Sequence, residues 1–70
     1  MLARELRTGL MVIVKDHRLY QDDATPLEVM MQPAVVVRKY RKGGTDLVDV
    51  RFDRDGFVSR GHNCLAISDL

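Results

Sequence analysis

Two glycine-containing turns on either side of one alternating segment constrain this chain more than any other feature. Gly43-Gly44 follows the apolar and basic run Ala34 to Arg41, and Asp53-Arg54-Asp55-Gly56 precedes Phe57 to Arg60. Glycine accepts positive φ without steric penalty, so such turns between apolar runs mark hairpins. Between them, Asp46 to Asp53 puts Val48, Val50 and Phe52 on one side and Leu47, Asp49 and Arg51 on the other. That is the period of a strand with two unlike faces. The heart of the fold is therefore expected to be three antiparallel strands.

The remainder adds shorter pieces. Leu10 to Val14 is apolar throughout and rich in β-branched residues, which suits a strand covered on both faces. His17 to Thr25 is polar and reads as a loop. Thr25-Pro26-Leu27-Glu28 has the form of a helix start, with Thr25 as cap, Pro26 in the first turn and Glu28 completing a capping box. Pro33 would limit that helix to one or two turns. A short strand through Leu27 to Met31 is the competing reading, so residues 26–32 stay open between helix and strand. Residues 1 to 8 form a lead-in, with Leu2 and Leu6 spaced for one helical turn or a short ordered arm. Gly61 bends the chain, and Cys64 to Ile67 is a last short strand or 3₁₀ turn.

Counting outward from the turns sets the pairing. With Gly43-Gly44 central, Arg41 faces Asp46, Arg38 faces Asp49 and Val37 faces Val50. With a four-residue loop at Asp53 to Gly56, Phe52 faces Phe57 and Asp49 faces Arg60. The expected core face carries Val35, Val37, Val48, Val50, Phe52 and Phe57. The other face is mixed: Val36, Arg38, Tyr40, Leu47, Asp49, Arg51, Val58 and Arg60.

The spacings Gly9-x-x-Val12-x-Val14, Pro33-Ala34-x-Val36-Val37, Val48-x-Val50-x-Phe52 and Leu65-x-Ile67, with tight turns and a brief helical turn near the end, resemble the SH3-like barrels, including Tudor and KOW-type modules. The resemblance implies a mainly β fold, a small barrel of about five strands with one short helical turn, and a tendency to assemble or to bind. It implies no site. The chain has no tryptophan for a proline-peptide groove, no cluster of aromatics for a methyl-lysine cage, and no Val-Gln-Ile-Tyr stretch like that of the small plasmid-type dihydrofolate reductases.

At 70 residues the chain is read as one domain over 1–70, of a size that buries only about 60% of its unfolded surface. Its hydrophobic share of 46% is that of a globular chain rather than a disordered one. Its longest apolar runs, Gly9 to Val14 and Ala34 to Val37, are too short to span a bilayer. The opening MLARELRTG mixes acid with base and lacks the apolar stretch of a signal peptide. One cysteine, Cys64, excludes an internal disulfide and fits a small buried apolar residue in a cytoplasmic protein.

Motifs that could carry chemistry are thin. Asp53-x-Asp55-Gly56 begins like a calcium loop, but its glycine falls at the fourth position instead of the sixth and no glutamate stands at the twelfth. A hairpin turn accounts for it. His62-x-Cys64 offers two metal ligands where a zinc site needs three or four. Ser59 and His62 lack a nucleophile elbow, and a domain this small has little room for a deep pocket. No catalytic residue, metal or cofactor is assigned, and an enzyme whose site lies between chains is the least favoured alternative.

The segment Arg38-Lys39-Tyr40-Arg41-Lys42 holds four bases in five positions. Alternation sends Arg38, Tyr40 and Lys42 to the mixed face, where Arg51 and Arg60 join them, and these five are the candidate binding residues. Bases beside an aromatic suit phosphate contact and base stacking. A single small barrel has one interior, yet apolar residues occupy both faces of two strands. Met11, Ile13, Val36, Leu47 and Val58 are therefore expected at an interface. The expected function is a non-catalytic β module that self-associates, as a homo-oligomer, and binds a protein partner, with nucleic-acid binding through residues 38–42 as the alternative and no membrane role.

Overall fold

Runs of β-branched residues become strands where their alternation places them. A computed structural model describes residues 6–69. In it β1 spans Met11–Lys15, β2 Met31–Lys42, β3 Thr45–Phe52, β4 Val58–Asn63 and β5 Ser68–Asp69. One helical turn, α1, covers Leu27–Met30, and 3₁₀ turns cover His17–Leu19 and Cys64–Ala66. The strands lie in the order β4-β3-β2-β1-β5, and every pairing is antiparallel. The fold is thus mainly β: a four-strand open sheet, to whose β1 edge the two-residue β5 adds two pairs. The ladder among the described residues ends at β4 and β5 and does not close on itself.

Residues 26–32 resolve into helix and then strand. Thr25 does not cap α1. Its hydroxyl accepts from the backbone N–H groups of Gln21 and Asp22, both at 3.0 Å, and tightens the preceding loop instead. Pro26 stands at the cap position without a side-chain bond. The helix stops before Pro33, which lies within β2 opposite Ile13.

The two glycine turns behave as their chemistry requires. Gly43 and Gly44 take φ of +58° and +79°, the paired positive values of a type I′ hairpin, whose twist matches its strands. The pairs nearest this turn follow the count from it: Arg41 opposite Asp46 and Arg38 opposite Asp49. The next step breaks the pattern. Val36, not Val37, pairs with Val50, so Val37 is an extra residue on β2. A bulge of this kind reverses which face each residue beyond it occupies. Val36 is accordingly in the core, fully buried, while Val35 and Val37 are only half-buried. Both the expected core positions of Val35 and Val37 and the expected interface position of Val36 are corrected by this one residue.

The core that results contains Leu6, Val12, Val14, Ala34, Val36, Val48, Val50, Phe52, Cys64 and Ile67. Leu6 supplies the only described part of the Leu2–Leu6 expectation; Leu2 lies outside the described residues. Phe57 departs from the expected core as well. Its backbone carbonyl accepts from Phe52 N–H at 2.8 Å, as the count from the second turn requires. Its ring, however, sits at the end of the sheet, is 46% exposed, and packs beneath the Arg18 guanidinium 3.9 Å away.

Candidate interaction surface

Facing away from the core, the pairings define rows across the sheet. One row reads Met11, Val35, Arg51, Val58 over β1 to β4, flanked by the pair Ile13 and Pro33. The next has Arg38 opposite Asp49. On β4 the ladder steps from Val50–Ser59 to Val48–His62, so both Arg60 and Gly61 lie against Asp49. A third row reads Tyr40, Leu47, Asn63, and Lys42 opposite Thr45 ends the face. The sheet therefore brings together all five expected binding residues, with Met11, Ile13, Leu47 and Val58 of the expected interface. Of the expected set, only Val36 is missing from this face.

The face divides in two. Toward β1 it is apolar, with Met11, Ile13, Met31, Pro33 and Val35 all half-buried. Toward β3 and β4 it is basic, and Arg38, Lys42, Arg51 and Arg60 are exposed. The acid in this half, Asp49, is only 5% exposed. It accepts from the Tyr40 hydroxyl at 2.9 Å and from the Gly61 N–H at 3.0 Å. Among the described residues no salt bridge reaches it, so the expected acid between two bases exists as a row but not as an ion-paired triad. Gly61 gives its N–H from a φ of +76°, a left-handed conformation that a side chain would strain. Arg38 lies over the Tyr40 ring at 4.6 Å. The hydrogen bond to Asp49, then burial, push the Tyr40 hydroxyl pKa above its ordinary value. Arg41, directed to the opposite face, pairs instead with Asp46 at 3.5 Å.

A second polar cluster escaped the sequence reading. Asp16, only 2% exposed, caps the first 3₁₀ turn by accepting from Arg18 N–H at 3.0 Å. Its carboxylate also takes Arg18 Nε at 3.0 Å, Arg18 Nη2 at 2.9 Å and Arg54 Nη2 at 2.7 Å. Arg18 extends to Asp55 at 2.8 Å and covers Phe57. Burial pushes the Asp16 pKa up, but the hydrogen bonds from Arg18 and Arg54 outweigh it and hold the carboxyl below its ordinary value. The Arg18 hydrogen bond does the same for Asp55. The close Asp16-x-Arg18 spacing was a signal for the local cap. Nothing local tied it to Arg54 and Asp55, since only the folded sheet brings the second hairpin to this loop. The cluster clamps the hairpin onto the loop and leaves little of its charge unmatched.

Ser59 and His62 do meet, with Oγ 2.7 Å from Nε2, because the β4 bulge puts residues three apart on one face. Burial, then the charge of His17, lowers the His62 pKa. Among the described residues no carboxylate hydrogen-bonds the ring, and no group of three His, Cys, Asp or Glu side chains is arranged for a metal. A hollow of about 280 Å³ lies elsewhere, between the Gly44–Asp46 and Asn63–Leu65 segments. Cys64 lines it but is 1% exposed, and burial raises its thiol pKa.

No family model, curated protein or solved structure matches the chain.

Proposed function

We propose that the protein is a non-catalytic, SH3-like β module that self-associates through the apolar half of its outer face and binds a protein partner. The observation that carries this is the group formed by Met11, Val35, Ile13 and Pro33. They lie on the side of the sheet away from the core, in register across β1 and β2. An apolar patch on the outer side of a small sheet calls for cover, and a symmetric dimer is the commonest way to supply it. Met11 and Met31 add adaptable apolar surface suited to a partner. The strand order, the strong bulges and the 3₁₀ turn before β5 support the barrel-like architecture. The single cysteine supports a reducing, cytoplasmic setting.

Sedimentation velocity at micromolar concentration tests the proposal. A dimer or larger species is expected, and Met11→Glu should yield a monomer that keeps its circular dichroism spectrum. A parent chain that stays monomeric at high concentration overturns it.

A further inference from the structure

The basic half of the outer face has no part in this self-association, and its charge is unlike that of the whole chain. Arg38, Lys42, Arg51 and Arg60 are exposed there around the buried Asp49. These four bases and Asp49 sum to +3 in a chain whose formal net charge is +1, so the rest of the molecule sums to −2. None of the four bases has a carboxylate within salt-bridge distance among the described residues. The cations of the other cluster, Arg18 and Arg54, are by contrast held by Asp16 and Asp55. The objection that Asp49 would repel an anion is weakened by its setting. It is almost wholly buried, and its carboxylate is held by the Tyr40 hydroxyl and the Gly61 N–H. Two different polar donors thus anchor the acid in the sheet and leave the bases as the exposed groups.

Geometry narrows the kind of anion. Neighbouring strands lie about 4.8 Å apart and same-face residues on one strand about 6.7 Å apart. Arg38, Arg51 and Arg60, on three adjacent strands, can therefore engage successive charges of one extended polymer. Arg38 lies over the Tyr40 ring at 4.6 Å and is itself exposed. The ring steadies the cation while the side chain stays open to solvent. A planar, exposed cation steadied in this way is a platform on which an unstacked base can rest. An acidic peptide has no use for such a plane, and a duplex keeps its bases stacked and out of reach. We propose that this half of the face binds single-stranded nucleic acid, with Arg38 stacking on a base and Lys42, Arg51 and Arg60 contacting phosphates. Binding here does not depend on self-association: the apolar patch lies on β1 and β2, Arg38, Lys42 and Arg60 lie on other rows, and Arg51 alone shares a row with Met11 and Val35.

The test is fluorescence anisotropy with a labelled single-stranded oligonucleotide of mixed sequence. Three cations on phosphates give a salt slope of about −2.1, so affinity should fall roughly twentyfold between 50 and 200 mM salt. Arg38→Glu with Arg60→Glu should weaken binding more than tenfold and flatten that slope by about 0.7. Should that pair perturb folding by circular dichroism, Arg51→Gln with Lys42→Gln removes two phosphate contacts without charge reversal and should flatten the slope by about 1.4. Arg38→Lys separates stacking from charge: it should weaken binding to the oligonucleotide while leaving the salt slope unchanged. Arg41→Glu, on the opposite face, should leave affinity within about twofold of the parent. The proposal is overturned if no saturable binding occurs at low salt. It is equally overturned if Arg41→Glu matches the double variant, or if polyglutamate displaces the oligonucleotide as well as unlabelled oligonucleotide does. A duplex of the same sequence that binds as tightly, with Arg38→Lys silent, also overturns it. Monomeric behaviour in sedimentation would refute self-association and leave this binding intact.

Discussion

Replacing Asp16 with asparagine keeps the side chain's shape and removes its charge. Four hydrogen bonds from Arg18 and Arg54 converge on this carboxylate, which is 2% exposed. Asparagine retains one acceptor oxygen and turns an NH₂ group toward guanidinium donors. Removing one partner of a buried ion pair costs about 3–5 kcal/mol. The two arginine side chains are 37% and 42% exposed and can turn to water, which brings the expected loss to about 2–4 kcal/mol. A domain of this length has on the order of 4–10 kcal/mol in all. The melting temperature near neutral pH should therefore fall by roughly 10–25 °C. The pH dependence gives a sharper check. The folded-state pKa of Asp16 is depressed, so its contribution is present above the unfolded carboxyl pKa of about 3.9 and is lost as pH falls through the lower folded value. Melting curves followed by circular dichroism should show parent and Asp16→Asn furthest apart near neutrality and converging below about pH 4. Curves that coincide near neutrality, or stay equally separated into strong acid, would refute the clamp.

Other outcomes follow from the same geometry. Phe52, 1% exposed at the centre of the core, should cost about 3–5 kcal/mol when truncated to alanine; urea titration would show the chain largely unfolded, whereas an unchanged midpoint would mean that the sheet faces are reversed. Gly61→Ala has open space around the new carbon, the nearest atom being the Tyr40 hydroxyl at 3.9 Å, so its cost of about 1–2 kcal/mol should come from positive φ alone, and a loss near zero by urea titration would speak against the bulge. Ultraviolet titration should place Tyr40 above the ordinary tyrosine range because its hydroxyl donates to Asp49, and Asp49→Asn should bring it down. A thiol reagent should label Cys64 slowly in the folded chain and rapidly in urea, since the thiol is buried and its pKa raised.

Local chemistry made much of this fold legible. Paired glycines and the alternation of Val48, Val50 and Phe52 located the central hairpin, and the register counted from its turn held as far as Arg38. It failed at Val37, because a bulge has no residue signature in a run of three valines. The second turn also gave the right partners: Phe57 bonds Phe52, and Arg60 lies by Asp49. Pairing does not determine depth, and Phe57 at the sheet's end is covered by a cation from a distant loop. On the candidate surface, Arg38, Tyr40, Lys42, Arg51 and Arg60 were gathered by alternation alone. The loss of Val36 to the core, the burial of Asp49 and the Asp16 clamp depend on contacts between remote segments, which no local pattern encodes.

In the valine-rich run Ala34 to Val37, Ala34 and Val35 are paired by both β1 and β3, and Val36 is paired by β3 and bonded to the backbone of Gly9 and Leu10. The sheet's outer strands are of another kind. On one flank is β4, interrupted at Arg60-Gly61, and on the other is β5, only two residues long. A kinked, charged strand and a very short one are poor templates for an incoming chain. The segment most able to seed cross-β stacking is thus largely closed off for as long as the chain stays folded, and among the described residues neither outer strand offers a long straight edge on which a fibril could grow.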